Sequence, residues 1–366
     1  MQKTIQLKLL PTSAQRGMLE STLRKYICVM NTWLGYMYMF DEIPKASSKN
    51  VNAALPSALR GNALRDAISI FKTYSKIVYS DKKTHLPLVK KPVAIWNNQN
   101  FKVNPDSLEF PVWKKKKSQR IMVKAEIPES AFADLTTYKL GSLRITSKRG
   151  NLIAQIAVTI PDITTINTGV MGVDLGLKCP AVCYTDTGKV HFSGSGRHNK
   201  YIKRHFKSKR RELGKAKKPD VIKRIGSKEQ RIMDNIDHKI SRDVVNFAIK
   251  NKVGVIRMET LAGIRESVAE ARETTRKSRK NVSYIHNWSF YRLANYIDYK
   301  ARLAGIRVEY VDPAYTSQRC PECGALNHAE DRNYVCECGY HTHRDLVGAI
   351  NICLSAPEKP DKRASA

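Results

Sequence analysis

The sequence predicts a multidomain α/β chain: a β-barrel-like first half with helices inserted, then an α/β domain that holds a small metal ribbon. Three observations predict it. Between Leu86 and Ile160, short runs of alternating polar and apolar residues are broken by Pro, Gly and Asn, the pattern of an antiparallel β domain. Beyond residue 169, apolar strands take turns with helix-length amphipathic stretches, as they do when helices cover a sheet. Near the end, two cysteine pairs are separated by twelve residues.

Met1–Leu10 alternates polar and apolar residues and stops at Pro11, as a strand does. Thr12 is a good N-cap. From it a helical pattern runs to about Phe40, with Leu19, Leu23, Ile27, Met30 and Leu34 on one face. After the polar stretch Pro44–Asn52, a second helix over Ser57–Ile77 turns Leu59, Ala63, Ala67, Ile70 and Phe71 inward. Arg120–Ile127, Leu143–Thr146 and Leu152–Val158 then read as strands of the domain that the first strand opened, so the helices are an insertion. Residues 164–169 read as a linker. The apolar strand Gly169–Gly176, then Ala181–Tyr184, a turn at Asp186–Gly188 and Val190–Phe192 fit the opening meander of a ribonuclease-H-like sheet. Arg197–Arg231 holds fifteen Lys and Arg against three acids. An amphipathic helix bearing Met233, Ile236, Ile240, Val244 and Phe247 leads to the buried strand Val253–Glu259. The polar stretch Ile264–Tyr284, a helix over Ser289–Ala304 and a strand over Ile306–Val311 complete the order.

Sixty-four Lys and Arg oppose 33 Asp and Glu, giving a formal net charge of +31 and a pI of about 9.9. A chain this basic repels itself until a polyanion neutralises it, and nucleic acid is the partner implied. A membrane surface is the rival. The sequence offers no basic amphipathic membrane helix, no lipidation motif, and no apolar run near the ~18 residues that span a bilayer. The N-terminal residues lack the apolar core of a signal peptide, so a reducing cytoplasm is expected, and eight cysteines need a reason other than disulfides. Cys28, Cys179, Cys183 and Cys353 lie scattered among apolar residues and read as small buried side chains.

Three acids sit where an acid is out of place. Asp174 interrupts an apolar strand beside Gly176, Glu259 closes a strand of Val255, Ile256 and Met258, and Asp345 opens the apolar run Val347–Ile352. A carboxylate in such surroundings needs a cation or a donor. Any one of them alone reads as a capping or Arg-paired acid. The three in this order form the set that two hard Mg²⁺ ions require for phosphodiester chemistry.

Cys320-Pro-Glu-Cys323-Gly and Cys336-Glu-Cys338-Gly match a tetrahedral zinc ribbon with one structural ion. The glycines permit the tight turn that points N–H groups at thiolates. A redox Cys-x-x-Cys leaves the second pair unexplained. Because the second pair has one intervening residue where two are usual, His341 or His343 stands as an alternative to one thiolate.

Gly172-Val-Asp-Leu-Gly176, Arg257-Met-Glu-Thr-Leu261, Asn287-Trp-Ser-Phe290, Asp312–Gln318, Cys338–Asp345 and Ala349–Ile352 resemble the TnpB (OrfB) family in order and spacing. So does Leu55–Leu59 leading to Ala63–Ala67. The resemblance, which extends to the compact type V CRISPR effectors, covers nearly the whole chain. It implies a wedge-like β-barrel over 1–10 and 84–161 with a helical recognition domain over 11–83 inserted. It also implies a RuvC-like nuclease over 162–319 and 343–366, with the zinc ribbon over 320–342. Asp174, Glu259 and Asp345 match the family's catalytic, Mg²⁺-binding acids one for one. Val347 departs from the Asn that many members carry.

The implied activity is RNA-guided cleavage of double-stranded DNA beside a short flanking motif, in a prokaryotic cytoplasm or nucleoid. A guide RNA from the transposon end would supply sequence specificity, while the protein holds the heteroduplex by shape and charge. Lys203, Arg204, Lys207, Arg210 and Arg211 are the candidate backbone contacts, with Lys114–Lys117 and Trp113 a weaker signal of the same kind. Asn62 and Arg65 are candidate readers of the flanking motif. Ile264–Tyr284 would be a lid over the acids. Four rivals remain: a DNA-joining transposase, a non-cleaving RNA-guided repressor, a stand-alone junction resolvase and a CRISPR effector proper. The intact acid set and the N-terminal half argue against the second and third.

Overall fold

The structure, a computed structural model, describes residues 1–80, 84–148, 150–161, 163–260, 290–327, 329 and 332–357. It divides into two compact units, Met1–Pro161 and Asp162–Ala366. The expected lid over Ile264–Tyr284 and residues 287–289 of the Asn287–Phe290 motif lie outside the described residues.

The first unit is built on seven antiparallel strands: β1 (Gln2–Leu9), β2 (Val93–Trp96), β3 (Lys102–Val103), β4 (Ser107–Lys114), β5 (Lys117–Glu126), β6 (Lys139–Lys148) and β7 (Asn151–Thr159). Their order is β2-β6-β7-β1-β5-β4-β3, so the first strand of the chain lies at the centre. Its alternation buries Ile5, Leu7 and Leu9 and exposes the polar residues between. The barrel expectation needs a correction, since β2 and β3 are edges not joined by a ladder. The sheet is nevertheless curled. Trp96 on edge strand β2 donates from Nε1 to the Pro111 carbonyl on β4 at 2.9 Å, and its ring meets Phe110 at 5.1 Å. Side chains, not backbone pairing, draw the two ends together.

Two long helices follow β1: α1 (Ser13–Phe40) and α2 (Ser57–Ser80). Thr12 opens α1 with a capping box, its hydroxyl accepting from the Gln15 amide and the Gln15 side chain accepting from the Thr12 amide. The apolar stripe differs at one place. Tyr26, not Ile27, is fully buried, because its hydroxyl finds Asp66 on α2 at 2.6 Å. A short helix, α3 (Glu129–Thr137), has no counterpart among the sequence expectations.

The second unit is a five-stranded mixed sheet covered by helices. Its elements are β8 (Gly169–Asp174), β9 (Ala181–Thr185), β10 (Val190–Ser193), α4 (Gly196–Lys215), α5 (Pro219–Ile225), α6 (Lys228–Lys250), β11 (Val253–Glu259), α7 (Phe290–Leu303) and β12 (Arg307–Val311). The strand order is β10-β9-β8-β11-β12. The first three strands form an antiparallel meander, and β8, β11 and β12 run parallel. Parallel neighbours need long crossovers, which the helices between these strands supply. Met171, Val173, Ile256 and Met258 meet Ile240, Val244 and Ala248 of α6 and Leu293 and Ile297 of α7 in one core. After β12 come the ribbon strands β13 (Asn333–Val335) and β14 (His341–His343), then α8 (Arg344–Leu354).

Candidate active site and cysteine ribbon

Strand alternation decides which way the acids point. Met171 and Val173 face the α6–α7 core, so Gly172 and Asp174 face the other side of the sheet. On β11, Ile256 and Met258 face that same core, which puts Arg257 and Glu259 on the side of Gly172 and Asp174. Met258 is in register with Val173, so Glu259 lies beside the end of β8 where Asp174 stands. Helix α8 covers this side. Arg257 donates to the Cys353 carbonyl at 2.7 Å, and Asp345, 6% exposed, sits in the first turn of the helix. The helix can lie this close because two positions carry no Cβ. One added at Gly172 would stand 2.1 Å from the Ala349 carbonyl, and one at Gly348 would stand 3.0 Å from the Asp174 carboxylate.

The result is an excess of negative charge in a confined place. Burial, then Glu259, then Asp345 raise the Asp174 carboxyl well above the ordinary carboxylate range. Burial raises Glu259 as well, opposed by a hydrogen bond from the Thr316 hydroxyl at 2.5 Å. Asp345 pairs through Oδ1 with Arg332, while its buried Oδ2 has no partner. Arg332 and Arg344 oppose the rise at Asp174, yet an orphaned carboxylate oxygen among three neighbouring acids still fits a divalent cation bound by oxygen ligands. The three carboxylates are spread more widely than the cysteines below, the only group whose ligand atoms all lie within 4.8 Å of one another among the described residues. Sequence reasoning had no signal for Arg332. Thr316 and Asn351 fall inside the motifs Asp312–Gln318 and Ala349–Ile352, whose pattern alone gives them no task.

All four cysteines of the ribbon converge. Cys320 and Cys338 sulfurs are 3.7 Å apart and those of Cys323 and Cys336 are 3.4 Å apart. The shorter second knuckle is accommodated by Gly339 in the left-handed region, φ +91°, as Gly324 is in the first at +76°. The Asn327 amide reaches the Cys336 sulfur at 3.0 Å, and hydrogen bonds, first from the Cys338 backbone, lower that thiol to about 7. The thiolate set fits zinc. Neither histidine joins it: His343 accepts from the Asp345 amide at the start of α8, and His341 contacts the Gly339 carbonyl. Of the scattered cysteines, Cys183 and Cys353 are buried, Cys179 is half-buried and Cys28 is exposed. Cys28 corrects the expectation, because it lies on the outer face of α1.

Helix α4 sorts the basic candidates. Arg197, Lys200, Arg204, Lys207 and Arg211 recur at spacings of three and four, one stripe about 21 Å long at 1.5 Å per residue. Lys178, Arg197, Lys200, Tyr201 and Arg204 line a cavity of about 600 Å³ at the start of this helix. Arg210 instead pairs with Glu229 at 2.6 Å, and with Lys203 it lines a different cavity of about 370 Å³. In the first unit Asn62 is buried, its amide nitrogen committed to the Ile95 carbonyl and Asn97 Oδ1, both at 2.7 Å. In this structure that nitrogen is engaged within the protein. Its oxygen accepts from Arg65, which is exposed, so Asn62 holds the arginine. Lys115 and Lys116 form the left-handed tip of the β4–β5 hairpin.

Known proteins share this arrangement of elements. The model of the Cas12f1-like TNB domain matches residues 290–352, from α7 through the cysteines into α8. A TnpB-like protein of Methanocaldococcus jannaschii is 34% identical over 161 residues, 42% of this chain and 55% of that protein. Over these segments the chain is similar to TnpB-like proteins and to compact type V effectors. The CRISPR-associated endodeoxyribonuclease Cas12f1 of Sulfoacidibacillus thermotolerans is 29% identical over 208 residues, 52% of this chain and 46% of the relative. The chain spans about half the length of the curated relatives it matches. Among solved structures, Cas12f1 in its sgRNA–target DNA complex shares the fold, with a TM-score of 0.70 over 96% of this chain and 98% of that one, at 16% identity. No helix among the described residues is long and apolar enough to cross a membrane.

Proposed function

We propose that this TnpB-like chain is an RNA-guided DNA endonuclease that cuts beside a short flanking motif, with Asp174, Glu259 and Asp345 as catalytic acids. The observation that carries the reading is the convergence of these acids on one side of the β8–β11 pair beneath α8, with the Asp345 Oδ2 orphaned. Residues 162–319 and 343–366 form the RuvC-like nuclease in this reading. Its antiparallel meander followed by parallel strands supports a ribonuclease-H-like sheet. Residues 320–342 form the zinc ribbon, 1–10 and 84–161 the wedge-like domain, and 11–83 the recognition helices.

A pair of Mg²⁺ ions held by the three acids would polarise the scissile phosphate and make the attacking water acidic. The chain's own residues do the rest. The glycines at 172 and 348 let α8 bring Asp345 to the strand acids, and Arg332 holds the Asp345 carboxylate in place. Cys320, Cys323, Cys336 and Cys338 hold one structural zinc. The stripe Arg204, Lys207 and Arg211, extended by Arg197 and Lys200, lies along a nucleic-acid backbone, where each phosphate neutralised adds salt-dependent affinity. Lys203 and Arg210 face a cavity beside it. Arg65, held by Asn62, is the candidate contact to the flanking motif.

Guide dependence rests on likeness to a Cas12f1 solved in complex with an sgRNA and a target DNA. The test is to purify the protein from its native host and sequence the RNA that comes with it. The complex is then given Mg²⁺ and a plasmid carrying the matching target with a randomised flank. Guide-dependent double-strand cuts with an enriched flank support the reading. A discrete RNA with binding and no cutting points to a repressor, and no specific RNA to a DNA-only transposase.

A further inference from the structure

The turn between β12 and the ribbon, residues 312–319, holds a buried hydrogen-bonded strap. Thr316 is 6% exposed, and its hydroxyl lies 2.5 Å from Glu259 Oε1 and 3.2 Å from the Pro313 carbonyl. A hydroxyl has one proton to donate, and the short contact to a carboxylate claims it over the longer one to a neutral carbonyl. Asn351, 8% exposed on α8, spends both amide protons on this turn, one on the Thr316 carbonyl and one on the Arg319 carbonyl, each at 2.7 Å. The residue before Thr316 has an uncommon backbone. Tyr315 stands at φ +60°, a left-handed conformation that is an outlier for a bulky side chain, and it is 53% exposed. Such conformations persist where the surroundings over-determine them. Asn351 supplies that restraint from below.

We propose that Thr316 is a positioning residue for Glu259, and that Asn351 locks it to the helix that carries Asp345 and to the root of the cysteine ribbon. The proposal rests on the nuclease reading. With Oε1 held by Thr316, the Glu259 carboxylate has a fixed rotation and offers Oε2 to a cation. Asp345 and Asn351 share α8, and Arg319 directly precedes Cys320, so the second acid, the third acid and the ribbon meet at one asparagine. Sheet packing alone does not fix a glutamate, whose side chain has three rotatable bonds. Hydrogen-bond partners of metal-ligating carboxylates typically contribute 10–100-fold to metal affinity or activity.

The test uses the full chain with Mn²⁺ as the probe, titrated by calorimetry into wild type, Thr316→Val, Thr316→Ser and Thr316→Ala. Asp174→Asn identifies the binding that belongs to the acids. Thr316→Val keeps the shape and removes the donor, so it should weaken the Asp174-dependent binding by about 10–100-fold and slow single-turnover cleavage at saturating target by a similar factor. Thr316→Ser keeps the hydroxyl and should stay within about threefold of wild type. Should Thr316→Val fail to fold, the Ser–Ala pair reads the hydroxyl by itself. Equal Mn²⁺ affinity and cleavage in Val and wild type would overturn the proposal, as would Ser and Ala equally impaired. If wild type itself binds no Mn²⁺ that Asp174→Asn removes, the nuclease reading fails first, and the proposal with it.

Discussion

Placing α8 against β8 depends on Gly172, and replacing it by alanine should damage stability and activity together. The new Cβ would stand 2.1 Å from the Ala349 carbonyl, 2.5 Å from the Cys353 amide nitrogen and 2.9 Å from its Cα. All three are backbone atoms of one helix, so no side-chain rotation relieves the clash. The helix has to withdraw by about 0.9 Å before the nearest contact reaches even 3.0 Å. Overpacking of this kind costs about 1–3 kcal/mol, and ~2 kcal/mol lowers the melting temperature of a unit this size by roughly 4–8 °C. Withdrawing α8 carries Asp345 away from Asp174. A misplacement of about 1 Å at a reacting centre can cost about 10²-fold in rate. Gly348→Ala is the graded companion, since its Cβ meets the Asp174 carboxylate at 3.0 Å and a side chain can give by tenths of an ångström. It should cost less stability while still slowing cleavage. Gly214→Ala is the control, with nothing within 4 Å of the added carbon. Melting curves and single-turnover cleavage measure all three. A Gly172→Ala protein that melts and cuts like wild type would refute the placement of α8.

Other outcomes follow from charge and from the thiolates. Asp174, raised in the folded chain, binds its proton more tightly there than unfolded. In chelator, the contribution of this group to stability is therefore greatest in acid and falls as pH rises from the unfolded value near ~3.9 through the raised folded one. Asp174→Asn should flatten that slope and raise the melting temperature near neutral pH in EDTA; an unchanged slope in denaturant titrations would refute the crowding of acids. Cys320→Ser should take bound zinc from about one ion per chain toward none and destabilise the second unit, by elemental analysis and melting. Unchanged zinc content would remove the ribbon from the account. Replacing Lys207 and Arg211 by alanine should reduce the slope of log affinity against log salt by roughly 0.9 for each phosphate no longer neutralised, with little change for Glu229→Gln. An unchanged slope would argue that the stripe faces solvent alone.

Much of the site was legible because it is written in exceptions to local rules. An acid inside Val170–Leu175, a glutamate closing Val253–Met258 and an aspartate opening an apolar helix each break a pattern that burial otherwise enforces. The period of two, with the parallel register of β8 and β11 that the structure adds, then brings the first two together. What stayed out of view lies at long range. Nothing local marks Arg332 as the partner of Asp345, or Asn351 as the clamp on a turn 32 to 35 residues earlier. The burial of Asn62 was equally hidden, because a polar residue amid a helical pattern looks like a surface one. Its partners, Ile95 and Asn97, are on and just after a strand more than thirty residues away. The open edges of the first sheet were hidden for a related reason. Alternation predicts strands well, but closure depends on whether the last pair meets, and here Trp96 and Phe110 bridge that gap in place of a ladder.

The measurement that tests the central claim most directly compares wild type and Asp174→Ala, each with its guide RNA, on one target. Binding is read in chelator and cleavage after Mg²⁺ is added. Binding draws on base pairing and on the basic stripe, while cleavage draws on the acids. The account predicts equal affinity for the matching target and loss of cutting in the variant. Cleavage that survives Asp174→Ala would contradict it.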